Sequence, residues 1–232
     1  MDRRAVLTLA LVGLVASSGC ALLAGGTLEF TAAPATVSEA AQSAAQYELS
    51  RMQSPSINRT VSVAGQERTI RATNHLAVYE RELAAGPVRA TGTVLVLSTP
   101  QMTVFGQSLN PIGEMSPRQL LEAVAASRAG LSNVAIRGNR TVPVLGETAT
   151  VTAFEATTEF GGRQVDVTVH LLRVAHEGDY VVALAVHPSV MTAEQAGVDR
   201  MFRGIEHASG TADAGTGTAA VADTVTAAVA GN

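Results

Sequence analysis

The sequence predicts an α+β fold: an antiparallel meander of about six to seven strands packed with two to three helices. Three observations predict it. Runs rich in Val, Ile and Thr alternate apolar and polar residues through residues 57–105 and 133–187. Short turns at Gly65-Gln66, Phe160-Gly161-Gly162-Arg163 and Glu177-Gly178 separate these runs at hairpin spacing. Helix-start signals recur near the beginning, the middle and the end of the chain. The strand–helix–strand alternation that builds a parallel sheet is missing.

After Pro34, Thr36 and Glu39 have capping-box spacing, and Val37, Ala40, Ala41, Ala44, Ala45 and Leu49 recur at helical spacing. This predicts a first helix over about 37–50. Strands follow over 60–64, 68–82, 88–98 and 102–105, punctuated by Thr99-Pro100. Ser116-Pro117-Arg118-Gln119 starts a second helix, with an N-cap, Pro at the first helical position and Gln three residues after the cap. Leu120, Leu121, Val124, Ala125 and Leu131 mark its apolar face, and Gly130 closes it. Thr192 and Gln195 form another capping box. Val198, Met201, Phe202 and Ile205 give an i, i+3, i+4, i+7 stripe, which predicts a last helix over 192–206 lying on the sheet. One α+β domain is expected over 27–207, followed by an Ala-, Thr- and Gly-rich disordered tail over 208–232.

Composition narrows the function classes. All 16 basic residues are Arg, and 20 acidic ones bring the net charge to −4. That balance argues against a nucleic-acid partner, which needs a concentrated basic face. Aromatic residues make up 3% of the chain and Trp is absent, so stacking platforms for bases or sugars are not expected. A single Cys excludes an intrachain disulfide framework and a multi-thiolate metal site. The absence of Lys fits a GC-rich genome, whose codons favour Arg, or, more sharply, the Lys-poor acidic surface of a protein adapted to high salt, for which Asp is scarce.

Residues 1–20 read as an export segment. Arg3-Arg4, then Ala5, then Val6-Leu7 match the twin-arginine pattern. Ala5–Ala16 is an uncharged stretch of 12 residues. As a helix it rises about 18 Å, against a hydrocarbon core of roughly 30 Å. Ser17-Ser18-Gly19-Cys20 follows, and small residues ahead of a lone Cys resemble a lipobox, which implies cleavage before Cys20 and lipid on its thiol. Ser17 stands where a bulky aliphatic residue is usual. The alternative is an uncleaved anchor over Ala5–Ala24. Either way, residues 27–232 are expected outside the cytoplasm, held to the outer face of the cytoplasmic membrane, with 21–26 as a tether.

No G-x-S-x-G elbow, P-loop or H-E-x-x-H helix is present. The sequence assigns no catalytic residue, no cofactor and no metal. One constellation follows from strand geometry. If the Gly161-Gly162 turn sets register, Phe154, Ala156 and Thr158 face Val169, Val167 and Val165. Glu155, Thr157 and Glu159 then face Thr168, Asp166 and Gln164 on the other side. The turn at Glu177-Gly178 places His187 opposite Thr168 and Ala185 opposite His170. Glu155, Asp166, His170 and His187 thus share one face over three strands, a set suited to a divalent metal or to acid–base work. The plainer expectation is a polar outer face, solvated or covered by a helix. Asn58-Arg59-Thr60 and Asn139-Arg140-Thr141 are glycosylation sequons. His75, His176 and His207 read as strand, turn and helix-end residues.

Together, Arg3-Arg4, Ser18-Gly19-Cys20, Thr27-Leu28-Glu29-Phe30, Ala33-Pro34-Ala35 and the Lys-free body resemble a family of haloarchaeal secreted lipoproteins of unknown function. The resemblance implies twin-arginine export and a lipid anchor, and brings no site residues. Ala149–Ile205, with turns at Gly161-Gly162 and Gly178-Asp179-Tyr180 and a helix ending in Phe202 and Ile205, resembles the PsbP-like sandwich. That likeness implies architecture only. The expected role is a lipid-anchored binding or accessory module of the cell envelope, partnered by the membrane through its anchor. The alternatives are a surface hydrolase or metal-dependent enzyme using the His/Glu patch, and a passive envelope component.

Overall fold

The computed structural model describes residues 27–63, 66–85, 88–104, 107–125, 130–160 and 163–208. The chain runs through β1 (Leu28–Thr31), β2 (Ala35–Val37), α1 (Glu39–Ala45), β3 (Glu48–Gln53), β4 (Ser56–Val63), β5 (Gln66–Thr73), β6 (His75–Ala85) and β7 (Val88–Pro100). The short strands β8 (Thr103–Val104) and β9 (Gln107–Ser108) and a 3-10 turn at Pro111–Gly113 lead into α2 (Pro117–Ala125). The second half is β10 (Ser132–Val144), β11 (Glu147–Phe160), β12 (Arg163–His176), β13 (Asp179–Pro188), α3 (Glu194–Arg203) and β14 (Ile205–His207).

The spine is a seven-stranded antiparallel sheet in the order β10-β11-β12-β13-β7-β6-β3, which makes this an α+β sandwich. Side chains alternate between its two faces, and both faces are covered. On one face Tyr79, Val94, Val96, Val142, Val151, Leu172, Val181 and Ala183 pack with Val198, Met201 and Phe202 of α3 and with Ala45 of α1. On the other, Phe154, Val167, Val169, Leu171, Val182 and Leu184 pack with Leu120 and Leu121 of α2. The double cover explains why Val181 to Ala185 is buried without a break. Phe154 and Phe202 are both fully buried, one in each core, and each contributes about 1.5–3 kcal/mol from burial.

The expected register holds residue for residue. Phe154, Ala156 and Thr158 pair with Val169, Val167 and Val165, and Glu155 pairs with Thr168. Thr168 pairs with His187, and His170 with Ala185. The capping box of α2 also forms: Gln119 N donates to Ser116 Oγ at 3.3 Å, and Ser116 N to Gln119 Oε1 at 2.9 Å.

Several expectations need correction. The first helix is seven residues long and stops at Gln46, whose φ of 58° turns the chain into β3. Leu49, assigned to the helix face, is 45% exposed on that strand. Ala supplies too little apolar area to hold a longer helix against the sheet. The helix is capped by Ser38, whose Oγ accepts from Ala41 N, and not by Thr36.

The expected strand over 68–82 breaks at Asn74. Its first part, β5, pairs with β4 in a separate three-stranded sheet, where β1 adds in parallel. The arrangement is therefore not wholly antiparallel. The last helix covers Glu194–Arg203 and starts without a side-chain cap. Ile205 continues the buried stripe from β14, which pairs with β2. Between them Gly204 lets α1 approach closely, because a Cβ there would lie 2.1 Å from Ala41 Cβ. His207 accordingly sits in a strand and not at a helix end. Arg3, Arg4, Cys20, the tether, the Gly161-Gly162 pair and the tail beyond residue 208 lie outside the described residues.

Candidate functional site

The register delivers two histidines to one spot beneath α3. His170 and His187 are diagonal neighbours on β12 and β13, only 1% and 2% exposed. Their Nε2 atoms are 3.1 Å apart, and the rings stack with centroids 5.2 Å apart. Arg140, from β10, brings Nη1 to 2.9 Å from His170 Nδ1. Its Nε and Nη2 donate to Asp199 Oδ1 on α3 at 3.0 and 2.6 Å. His187 Nδ1 lies 3.0 Å from the Pro188 carbonyl.

Hydrogen-bond chemistry assigns every proton in this chain. A guanidinium only donates, so His170 Nδ1 accepts and the ring carries its proton on Nε2. That Nε2–H donates to His187 Nε2. His187 must then hold its proton on Nδ1, where it donates to Pro188 O. All four ring nitrogens are committed and both rings are neutral, since a second proton on either would set two N–H groups against each other. The electrostatics agree. Burial, then the charge of Arg140 and the competing His187 imidazole, lower His170 from 6.5 to about 3. Burial lowers His187 as well, against the Pro188 carbonyl and the Glu194 carboxylate, which pull it up.

The polar seam extends along α3. Glu194 pairs with Arg81 Nη1 at 3.1 Å, and Tyr47 Oη donates to its Oε2 at 3.5 Å. Arg81 also donates to the Ala45 carbonyl and to Gln46 Oε1. Burial and the Glu194 charge push the Tyr47 phenol well above its usual range. Two ion pairs, Arg81–Glu194 and Arg140–Asp199, thus fasten α3 across an otherwise apolar contact.

Of the four residues that the strand pattern placed on one face, the structure brings His170 and His187 together and leaves Glu155 and Asp166 apart. Glu155 is exposed and pairs with Arg137 at 2.6 Å. Asp166 is exposed and accepts from Thr157 Oγ1 at 3.3 Å. The reason is spacing: Asp166 and His170 are four residues apart on one strand, about 13 Å. Among the described residues, no group of three or more His, Cys, Asp or Glu is placed to hold a metal ion. Asn58 and Asn139 are both exposed on strands, and Asn58 Oδ1 accepts from Arg71 Nε. His75 Nδ1 meets Ser54 Oγ at 2.9 Å on the surface.

A second knot joins the remaining histidines. His207 Nε2 lies 3.1 Å from Asp179 Oδ2 and 3.3 Å from Ser98 Oγ, and its Nδ1 lies 3.0 Å from His176 Nδ1. Asp179 Oδ2 also accepts from Ala33 N at 2.7 Å. Ser98 and Asp179 share one ring nitrogen, so the set lacks the two-sided geometry of a nucleophile relay. Ser98 is fully buried. The knot ties the N-terminal segment and β14 to the middle of the sheet.

The opposite face holds an open groove of about 420 Å³ between the Pro111–Gly113 turn, the start of α2 and strands β11 and β12. Thr148, Thr150 and Thr152 line it from β11, with Leu171 and Arg173 from β12 and Met115 and Leu120 on the rim. Arg173 Nη1 donates to the carbonyls of Ile112 and Met115, which fixes the guanidinium against the turn. The strand pattern did not single out Arg140, Asp199 or Arg173. Arg140 was within reach: Leu145-Gly146 is a further hairpin turn, with φ of 51° and 79°, and it sets Arg140 opposite Val151, beside the His170 row.

Residues 34–206 match the family described as Domain of unknown function (DUF6517), and the chain belongs to that family. No curated protein matches the chain. Among solved structures it is similar to the crystal structure of Protein of Unknown Function PA94 from Pseudomonas aeruginosa. Identity is 10%, over 61% of this chain and 90% of that one, with a TM-score of 0.31. That likeness is too slight to bear on fold or function.

Proposed function

We propose that this member of the family is a lipid-anchored extracytoplasmic protein whose folded domain serves as a binding or accessory module of a haloarchaeal cell envelope. The observation that carries the reading is the order Arg3-Arg4, the apolar stretch Ala5–Ala16, and then Cys20 as the only thiol of the chain. Two arginines ahead of a short apolar segment form an export address, and a thiol directly after it is a lipid acceptor. No helix among the described residues is long and apolar enough to cross a membrane.

The open groove beside α2 favours a binding module over a passive component, because pockets of this size and mixed lining are where small molecules settle. The buried histidine pair does not favour the hydrolase or metal-enzyme reading. All four of its ring nitrogens are engaged within the protein, and neither ring retains a free lone pair or proton for a substrate. Fractionation tests the anchor. The native chain is expected in membranes and C20S in the soluble extracytoplasmic fraction, whereas equal membrane retention of both contradicts a lipid on Cys20.

A further inference from the structure

We infer that the groove beside α2 binds a small monocarboxylate with a compact apolar body, its carboxylate on Arg173 and its body against Met115, Leu120 and Leu171. The inference deepens the binding-module reading and rests on it.

Arg173 is half-buried and faces no carboxylate among the described residues. Both of its hydrogen bonds leave through Nη1, to Ile112 O and Met115 O. They hold the guanidinium still and leave Nε and Nη2 without protein partners among the described residues, and neither atom is sealed from solvent. A fixed guanidinium with one edge open is the geometry that takes a planar carboxylate through two parallel N–H donors.

A second observation points the same way. Thr152 is only 4% exposed, yet its hydroxyl has no protein partner among the described residues and is not closed off. The one sealed orphan among the described side chains is Asn74 Oδ1, elsewhere. A buried hydroxyl open only to a cavity is a donor kept for whatever occupies that cavity.

The start of α2, through Pro117, lies on the same rim and adds the positive end of a helix dipole. Met115, Leu120 and Leu171 provide an apolar wall. Glu147, an exposed residue of the same lining, disfavours a second negative charge on the ligand. The lining therefore selects one anionic head and an uncharged remainder. A volume of about 420 Å³ accommodates a ring or a short branched chain as that remainder.

The test uses the full chain in dodecyl maltoside and three probes of one shape: benzoate, benzylammonium and benzyl alcohol. Amide shifts are followed at Thr150, Thr152 and Arg173. Benzoate is expected to shift these signals saturably and to bind at least tenfold more tightly than either other probe. R173Q is expected to remove that preference, losing about tenfold or more in benzoate affinity. T150Y, which fills the groove from an exposed floor position, is expected to abolish binding of every probe. If the three probes bind alike, or R173Q leaves the preference intact, the carboxylate inference fails while a binding groove stands. If no probe shifts these signals, both the inference and the use of the groove as a binding site fail.

Discussion

Between His170 and His187 there is room for one proton: their Nε2 atoms lie 3.1 Å apart, and Arg140 on one side and the Pro188 carbonyl on the other decide which ring holds it. The pair is a neutral, directional hydrogen-bond chain under α3, and the stability of the domain is linked to it.

The first consequence is acid sensitivity. Both rings have lowered pKa values when folded, His170 from 6.5 to about 3. The unfolded chain therefore binds protons that the folded one refuses, so stability rises with pH across the window. It is complete above about 6.5 and falls as pH drops toward 3. Each histidine contributes a slope of about 1.4 kcal/mol per pH unit inside its window. Urea melts between pH 7.5 and 5 should show this. H187Q, which removes one titrating ring but can still accept from His170, should make the slope between pH 6.5 and 5 shallower.

Arg140 neutralises Asp199 and donates to His170. The R140M variant leaves a partly buried carboxylate without its partner, and a loss of about 1–3 kcal/mol is expected in denaturant melts. The same change removes the positive charge that lowers His170, so its NMR titration should move up in pH.

Two glycines should respond in opposite ways to one added methyl group. At Gly204 a Cβ would sit 2.1 Å from Ala41 Cβ, so G204A should cost about 1–3 kcal/mol by forcing α1 off α3. At Gly138, on β10, nothing lies within 4 Å of the same atom. G138A should be neutral or slightly stabilising, because a strand gains from a restricted backbone. Thermal melts of the two variants give the comparison.

Asp179 holds three partners from distant parts of the chain: Ala33 N, Ser98 Oγ and His207 Nε2. D179A orphans them together, and a loss of about 3 kcal/mol is expected. Because Ala33 lies in the N-terminal segment, amide exchange should accelerate first at Ala33 and in β14.

Much of this architecture is legible in the sequence because hairpins are local. Glu177-Gly178 fixes the register of its strands by turn chemistry, as Gly161-Gly162 was read to do, and the pairing from Phe154 to His187 follows. Features that depend on distant contacts are less legible. The Ala-rich first helix looks longer than it is, since nothing local marks where α3 stops supporting it. The break at Asn74 reflects two sheets competing for one run of β-forming residues. The histidine pair followed from register, but its partners did not: Asp199 belongs to a helix whose placement over β10 is a tertiary fact. Arg173 reads in sequence as one more strand residue, and only the turn at Pro111–Gly113 gives it a fixed position.

The most direct measurement is the mass of the N-terminal peptide of the protein extracted from its native membrane. A chain that begins at Cys20 and carries a thioether-linked lipid on that thiol is expected. A chain that begins at Met1 with an unmodified Cys20 thiol would contradict it.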